Sequence, residues 1–120
     1  MDILEKTKAI LNREENILFA YIFGLYARGE QHSSSDIDIA LYLKEYSFDY
    51  YLDIVKKLQS TTHKEIDLVV LNRAKNLFLI EDIINNSLLL KDNDKRMEYE
   101  VYKWMEIVDF KELNKRLDSA

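Results

Sequence analysis

Two aspartates, Asp36 and Asp38, stand two positions apart where a polar segment gives way to an apolar one. Alternate side chains of a β-strand share one face, which would place these carboxylates roughly 6–7 Å apart along the chain. Neighbouring carboxylates raise each other's pKa unless a cation lies between them. Mg²⁺, which favours oxygen ligands and substrate phosphates, is the natural cation for such a pair.

A third acid, Asp67, stands near the beginning of a later apolar segment. If its strand lies beside that of Asp38, the three carboxylates form a trio of the kind that holds two metal ions for phosphoryl transfer. Branched or leucine-rich residues follow all three aspartates, which predicts that apolar residues enclose them. An enclosed, unpaired carboxylate is costly, so this pattern favours a bound metal.

The chain has two glycines, Gly24 and Gly29, and both lie in one short turn that follows an apolar run. Glycine is expected where a side chain cannot be tolerated, and here it would let backbone N–H groups approach phosphate oxygens. A short helix after the turn would add the positive end of its dipole. Arg28 could contact phosphate or pair with a carboxylate such as Glu30, and Ser35 is a further candidate for a phosphate contact.

Hydrophobic periodicity predicts alternating helices and strands, and therefore an α/β or α+β layer with a small sheet flanked by helices. Asp49 is the expected cap of one helix, and Asn86 is expected to end another in the left-handed conformation. A break near Asp109 is expected to divide the last segment into two helices. The predicted helices cover residues 2–15, 49–60, 76–85 and about 94–117, and the predicted strands cover 17–23, 36–43, 65–71 and 88–90.

Composition indicates a single domain, residues 1–120, with 48% hydrophobic and 32% charged residues. The net charge is −5 and the chain has no cysteine, which excludes disulfides and thiolate metal sites. No dense cluster of Lys and Arg is present, which argues against stable nucleic-acid binding. The longest apolar run, 17–23, is far shorter than the ~20 residues of a membrane helix, and no signal peptide is evident, so a cytoplasmic protein is expected.

Three segments together resemble the polymerase-beta-type nucleotidyltransferase superfamily: 24–30 (Gly-Leu-Tyr-Ala-Arg-Gly-Glu), 35–38 (Ser-Asp-Ile-Asp) and 65–68 (Glu-Ile-Asp-Leu). The family pattern is Gly-Ser, ten residues, then Asp-x-Asp, and residues 26–35 keep that spacing. The short length is similar to the minimal nucleotidyltransferases that act as antitoxins beside HEPN-domain ribonuclease toxins. The resemblance covers nearly the whole chain.

This resemblance implies transfer of AMP from ATP to a hydroxyl of a HEPN toxin, the hydroxyl of a tyrosine, with two Mg²⁺ ions. Asp36 and Asp38 would hold both ions, and Asp67 would bind the ion nearer the acceptor and help to deprotonate or orient its hydroxyl. Gly24 and the backbone of Leu25 would cradle the phosphates. Leu25 replaces the family's serine, and one lost hydrogen bond to a charged group is worth roughly 1–3 kcal/mol.

Other interpretations remain open at this point. Because of Leu25, the protein could be an antitoxin that neutralises its toxin by binding alone. Transfer to a small molecule is disfavoured because the chain has little room for a second, acceptor-holding domain. Template-directed polymerisation is disfavoured further, since a basic DNA-gripping surface is missing from the sequence. The apolar residues of 94–117 could form core or a partner-binding stripe.

Overall fold

The computed structural model describes residues 1–119, which form a four-stranded sheet with helices on both faces. The strands are β1 (Ile17–Phe23), β2 (Ile37–Leu43), β3 (Ile66–Val70) and β4 (Leu88–Lys91). The helices are α1 (Ile3–Arg13), α2 (Gly24–Arg28), α3 (Phe48–Thr62), α4 (Leu77–Asn86) and α5 (Asp94–Ser119). The small mixed sheet flanked by helices, which the sequence predicts, is confirmed.

The sheet has the strand order β3-β2-β1-β4, with β1 antiparallel to both of its neighbours and β2 parallel to β3. Helix α3 provides the long crossover that a parallel pair requires. In the register of β2 and β3, Asp38 lies opposite Asp67. On the other side of β2, Asp38 lies opposite Phe23, the last residue of β1.

Each face of the sheet supports its own apolar cluster. One cluster joins Ile37 and Ile39 of β2 to α1 and α3, and the other joins Ala40 of β2 to α4 and to aromatic residues of β1. Side chains alternate along β2, so Asp38 points to the same side of the sheet as Ala40. The carboxylates therefore belong to the face that carries α4 and α5.

Two predicted helix ends differ from the structure. Ser47, rather than Asp49, caps α3, because its hydroxyl accepts the Tyr50 backbone N–H. Asn86 remains in α4, and the residue that follows it is extended rather than left-handed. His63 ends α3 in the left-handed conformation, with a φ of 57°, as Gly29 ends α2. Short polar residues near a helix end are interchangeable by pattern, so the sequence does not show which of them takes the cap.

The predicted division of the last segment near Asp109 is wrong, because α5 continues through that residue as one 26-residue helix. Its beginning is fastened to the sheet by Tyr21, whose hydroxyl donates to Glu100 at 2.7 Å. Arg96 binds the same glutamate at 3.1 Å. Although α5 is long, no helix within residues 1–119 is apolar enough to cross a membrane.

Candidate active site

The three predicted acids all lie at one end of the sheet, where β2 and β3 begin, and two of them are direct neighbours. Asp38 and Asp67 are register partners on adjacent parallel strands, and Asp36 directly precedes β2. Asp38 is partly buried, whereas Asp36 and Asp67 are exposed. The prediction that apolar residues enclose all three is therefore wrong for two of them, because the strand ends leave those side chains in solvent.

The pKa of the Asp38 carboxyl is raised from its ordinary 3.8 to about 6, chiefly because the group is partly buried. Repulsion from Asp67, a hydrogen bond with it and repulsion from Asp36 contribute to this increase, while Arg28 acts in the opposite direction. Ionisation of Asp38 is consequently less favourable than that of an ordinary exposed aspartate. A bound cation would reverse this preference, since an opposite charge stabilises the carboxylate.

The backbone of Gly24 lies directly against the Asp38 carboxyl. A Cβ built on Gly24 would stand 2.2 Å from Asp38 Oδ2, far inside van der Waals contact. Gly24 also has a φ of 67°, which L-residues rarely adopt. The expectation that this position cannot tolerate a side chain is confirmed, and the obstacle is the carboxylate itself.

The candidate phosphate contacts lie on α2 and on the loop before β2. Leu25 follows Gly24 in the first turn of α2, and Arg28 ends that helix. The Arg28 guanidinium pairs with Glu30 at 3.4 Å, with both side chains about half exposed, so the pair is weak and easily exchanged. Ser35 is buried, and its Oγ accepts the His32 backbone N–H at 2.9 Å, which gives it a role within the loop.

Sequence reasoning missed one contact that organises this end of the sheet. The Lys64 ammonium group, just before β3, donates to the backbone carbonyl of Ser33, in the loop before β2. This bond joins the two segments that lead into Asp36 and Asp67. A lysine in a polar loop carries no pattern that distinguishes such a role.

The residues fit a magnesium site by donor type. The side chains offer carboxylate oxygens, which are the ligands that Mg²⁺ prefers. The raised pKa of Asp38 means that a nearby positive charge would stabilise its ionised form. Within residues 1–119, however, no three His, Cys, Asp or Glu side chains are already gathered into a group that could hold a metal. The structure thus brings Asp38 and Asp67 together directly, and Asp36 remains at the margin.

The sequence of this chain matches a known protein family. The model of the polymerase beta nucleotidyltransferase family matches residues 5–96. A Methanocaldococcus jannaschii protein, MJ1379, provisionally named a protein adenylyltransferase, is 34% identical over 85 residues, which cover 68% of this chain and 85% of that protein. The protein adenylyltransferase MntA of Shewanella oneidensis is 35% identical over 79 residues, covering 62% of this chain and 56% of MntA.

Solved structures share the fold. A crystal structure of a toxin–antitoxin with AMP-PNP contains a chain that superposes with a TM-score of 0.76 at 24% identity, covering 97% of this chain and 93% of that one. A tri-AMPylated Shewanella oneidensis HEPN toxin in complex with its MNT antitoxin gives a TM-score of 0.70 at 20% identity, covering 98% and 91%. At these identities the similarity concerns the fold.

We expect Gly24→Ala to disrupt the site, because its methyl group would displace the Asp38 carboxyl. Unfolding free energy should fall by more than the roughly 1–2 kcal/mol of backbone strain alone, and binding of a non-hydrolysable ATP analogue should be lost. Thermal unfolding and calorimetry measure these effects. Gly29→Ala is the matched control, since Gly29 has a φ of 70° but nothing within 4 Å of an added Cβ. Equal effects of the two substitutions would contradict the proposed clash.

Asp38→Asn should stabilise the metal-free protein at neutral and alkaline pH. Folding raises the Asp38 pKa from 3.8 to about 6, so the ionised carboxylate opposes folding above pH 6 and this penalty disappears as pH falls below 3.8. After allowance for solvent screening, we expect a gain of about 1 kcal/mol at pH 8 that vanishes near pH 3.5. Denaturant unfolding in EDTA across this range provides the measurement. A gain independent of pH would rule out the carboxylate's charge as its cause.

Proposed function

This chain belongs to the polymerase beta nucleotidyltransferase family, and from that membership we propose that it is a protein adenylyltransferase of the antitoxin type. It transfers AMP from ATP to a tyrosine hydroxyl of a cognate HEPN-domain ribonuclease toxin and thereby silences the toxin. The names of MJ1379 and MntA support the reaction, and the structurally similar antitoxin found with an AMPylated HEPN toxin supports the partner. We propose a cytoplasmic location, which the use of ATP as the substrate supports.

The observation that carries this proposal is the register of β2 and β3, which sets Asp38 beside Asp67. Gly24 completes the arrangement, because its bare backbone brings the beginning of α2 against the same carboxyl. An anion-binding turn and a carboxylate pair thus share one small volume. Phosphoryl transfer depends chiefly on positioning and charge neutralisation, and these are the two properties that such an arrangement supplies.

The proposed reaction needs no side-chain nucleophile from this chain. The acceptor oxygen forms a bond to the α-phosphorus of ATP, the bond from that phosphorus to the bridging oxygen of the β-phosphate breaks, and pyrophosphate leaves. Asp67, exposed at the strand end, receives or orients the proton of the acceptor hydroxyl. Mg²⁺ ions held by Asp36, Asp38 and Asp67 would neutralise charge on the phosphates and lower the pKa of the acceptor hydroxyl.

The remaining residues hold the triphosphate. We propose that the backbone N–H groups of Gly24 and Leu25, at the beginning of α2, bind the phosphates. Arg28 exchanges its exposed partner Glu30 for a phosphate oxygen, which costs little because exposed ion pairs are weak. Ser35 keeps the loop before Asp36 in shape, and any contact of its hydroxyl with phosphate is secondary to that role.

Incubation of the protein with ATP labelled at the α-phosphate, Mg²⁺ and the purified cognate HEPN protein should transfer label to the HEPN protein. The double variant Asp36→Asn, Asp38→Asn should lower the rate at least 1,000-fold, because it removes metal-binding charge used in the transition state. Phosphorimaging and intact-mass spectrometry measure the product. Asp53→Asn, on the exposed side of α3, is a matched control for loss of a surface carboxylate. Absence of label at every Mg²⁺ or Mn²⁺ concentration would contradict the proposal.

The same double variant separates catalysis from neutralisation by binding alone. If AMP transfer silences the toxin, cells that express the HEPN protein should not be rescued by Asp36→Asn, Asp38→Asn. Full rescue at the wild-type expression level would show that occupation of the toxin is sufficient. Growth curves with matched protein levels distinguish the two mechanisms.

Leu25→Ser should increase activity, since it restores the hydroxyl that the resemblance assigns to phosphate binding. A recovered hydrogen bond to a charged group is worth roughly 1–3 kcal/mol, so kcat/KM for ATP should rise about 5- to 150-fold. Steady-state kinetics with ATP as the varied substrate test this. Leu25→Ala controls for the loss of bulk, and an equal increase in both variants would show that relief of crowding, not the hydroxyl, is responsible.

A further inference from the structure

Helix α5 has two apolar sides, and only one of them packs against the domain. The inner side includes Ile107, which is 2% exposed, and Phe110, whose ring meets Phe78 of α4 edge to face. The other side, which we call the outer stripe, consists of five residues that are 46–67% exposed: Met97, Val101, Trp104, Met105 and Val108. Packing within this chain explains the inner side and leaves the outer stripe without a function.

The spacing of the outer stripe suits a partner helix. Met97, Val101, Trp104 and Val108 follow one another at intervals of four, three and four residues, the repeat that aligns a seam for helix pairing. Five large apolar side chains that are 46–67% exposed on one side of a helix form a continuous apolar patch, which is typical of an interaction surface. Trp and Met, which contribute three of its five members, are typical of interface centres.

Charge selects the kind of helix that this stripe accepts. One margin of the stripe carries four acidic side chains spread over about five turns, two of them paired with Lys95 and Arg116. The domain covers the opposite side of α5 at Ile107. The acidic margin consists of Asp94, Glu98, Asp109 and Glu112, all of them exposed. Glu98 and Glu112 make exposed ion pairs within α5, at 4.0 and 3.6 Å, which a stronger partner can replace. A helix with Lys or Arg along one edge of its apolar face would match this margin.

A second copy of this chain is a poorer match. Two copies of α5 paired antiparallel through their outer stripes would bring the two acidic margins together, because like edges meet in that orientation. A parallel pair would place the margin of one copy against the domain of the other. The net charge of −5 adds repulsion between copies.

The extent of the family match separates α5 from the catalytic part. The nucleotidyltransferase model ends at residue 96, near the beginning of α5, so the catalytic family does not require this helix. The similarity to a chain of the toxin–antitoxin structure with AMP-PNP covers 97% of this chain and therefore includes most of α5. Helix α5 is thus part of the similarity to a chain found in a toxin–antitoxin structure.

We infer that the outer stripe is the docking surface for an amphipathic helix of the HEPN partner, with basic residues along one edge of that helix's apolar face. This inference rests on the proposed function for the identity of the partner. Docking on α5 would hold the partner on the same side of the sheet as Asp38, because α5 packs on the face to which that side chain points. The outer stripe would then bind the HEPN partner, and the site at the carboxylate end of the sheet would modify that partner.

Trp104→Glu in the full-length chain tests the docking surface against the purified cognate HEPN protein. Truncation and charge at the centre of an interface typically weaken binding about 100-fold or more, and we expect that loss by calorimetry. Leu113→Glu is the matched control, because Leu113 is 54% exposed on the same helix but lies away from the stripe. It should bind within about threefold of wild type. Circular dichroism and thermal unfolding are the measurements that check whether both exposed-site variants fold.

A charge-reversal variant tests the acidic margin separately. Glu98→Lys with Glu112→Lys should weaken binding about 10-fold and reduce its dependence on salt, because attraction to basic residues is lost. AMP transfer should fall with binding at low HEPN concentration and recover when the HEPN protein is in large excess, since the catalytic end is unchanged.

The outcomes distinguish this inference from the proposed function. Wild-type affinity in Trp104→Glu would overturn the docking surface while leaving AMP transfer standing. Binding lost in Trp104→Glu, in a system where wild type binds without transferring AMP, would support the surface and contradict the enzyme. Sedimentation of the wild-type chain alone as a dimer that Trp104→Glu dissociates would assign the stripe to a second copy and overturn the inference.

Discussion

The close approach of the Gly24 backbone to the Asp38 carboxyl is the constraint on which the site depends. Phe23 and Asp38 are partners across β1 and β2, so the chain turns out of the sheet directly beside the carboxylate. A side chain at position 24 would occupy the space of Asp38 Oδ2. The turn can therefore lie against the carboxylate only if the residue at position 24 has no side chain. The backbone that we propose binds phosphate and the oxygen that we propose binds metal become neighbours as a result of ordinary strand pairing.

The two neighbouring carboxylates at the end of the sheet repel each other, which is locally unfavourable. Asp38 and Asp67 are adjacent although burial and mutual repulsion oppose ionisation of Asp38. Apolar clusters on both faces hold the strands in place regardless of this repulsion. Packing in the middle of the sheet thus offsets the unfavourable electrostatics of the two carboxylates at its end. Such strain is common at sites where a bound ligand of opposite charge would remove the repulsion.

Much of this arrangement follows from the sequence. Strand alternation predicts that Asp36 and Asp38 share a direction, and the scarcity of glycine identifies position 24 as special. Three features did not follow. The exposure of Asp67 depends on where β3 begins in the sheet, and the bond from Lys64 to Ser33 joins loops 31 residues apart in the chain. The choice of His63 over Asn86 for a left-handed helix end depends on the path of the following strand.

Helix α5 shows a different limit of pattern reasoning. Its apolar residues lie on two sides, so they cancel in any single-face description and make the segment resemble two helices broken near Asp109. Continuity through that residue is decided by packing against α4, including the ring of Phe110 on Phe78. Periodicity identifies a face well when a helix has one neighbour, and poorly when it has more than one.

The parallel pairing of β2 and β3 has a consequence for misfolding. Asp67 alternates with Leu68 and Val70, and the latter two belong to the buried cluster beneath the sheet. A slip of one position would turn the carboxylate into that cluster and the leucine into water, with a cost of several kcal/mol. That cost is a large part of the total folding free energy of a small domain, so molecules with a displaced carboxylate would be strongly destabilised. The strand register that buries the core residues of β3 is therefore also the register that sets Asp67 beside Asp38.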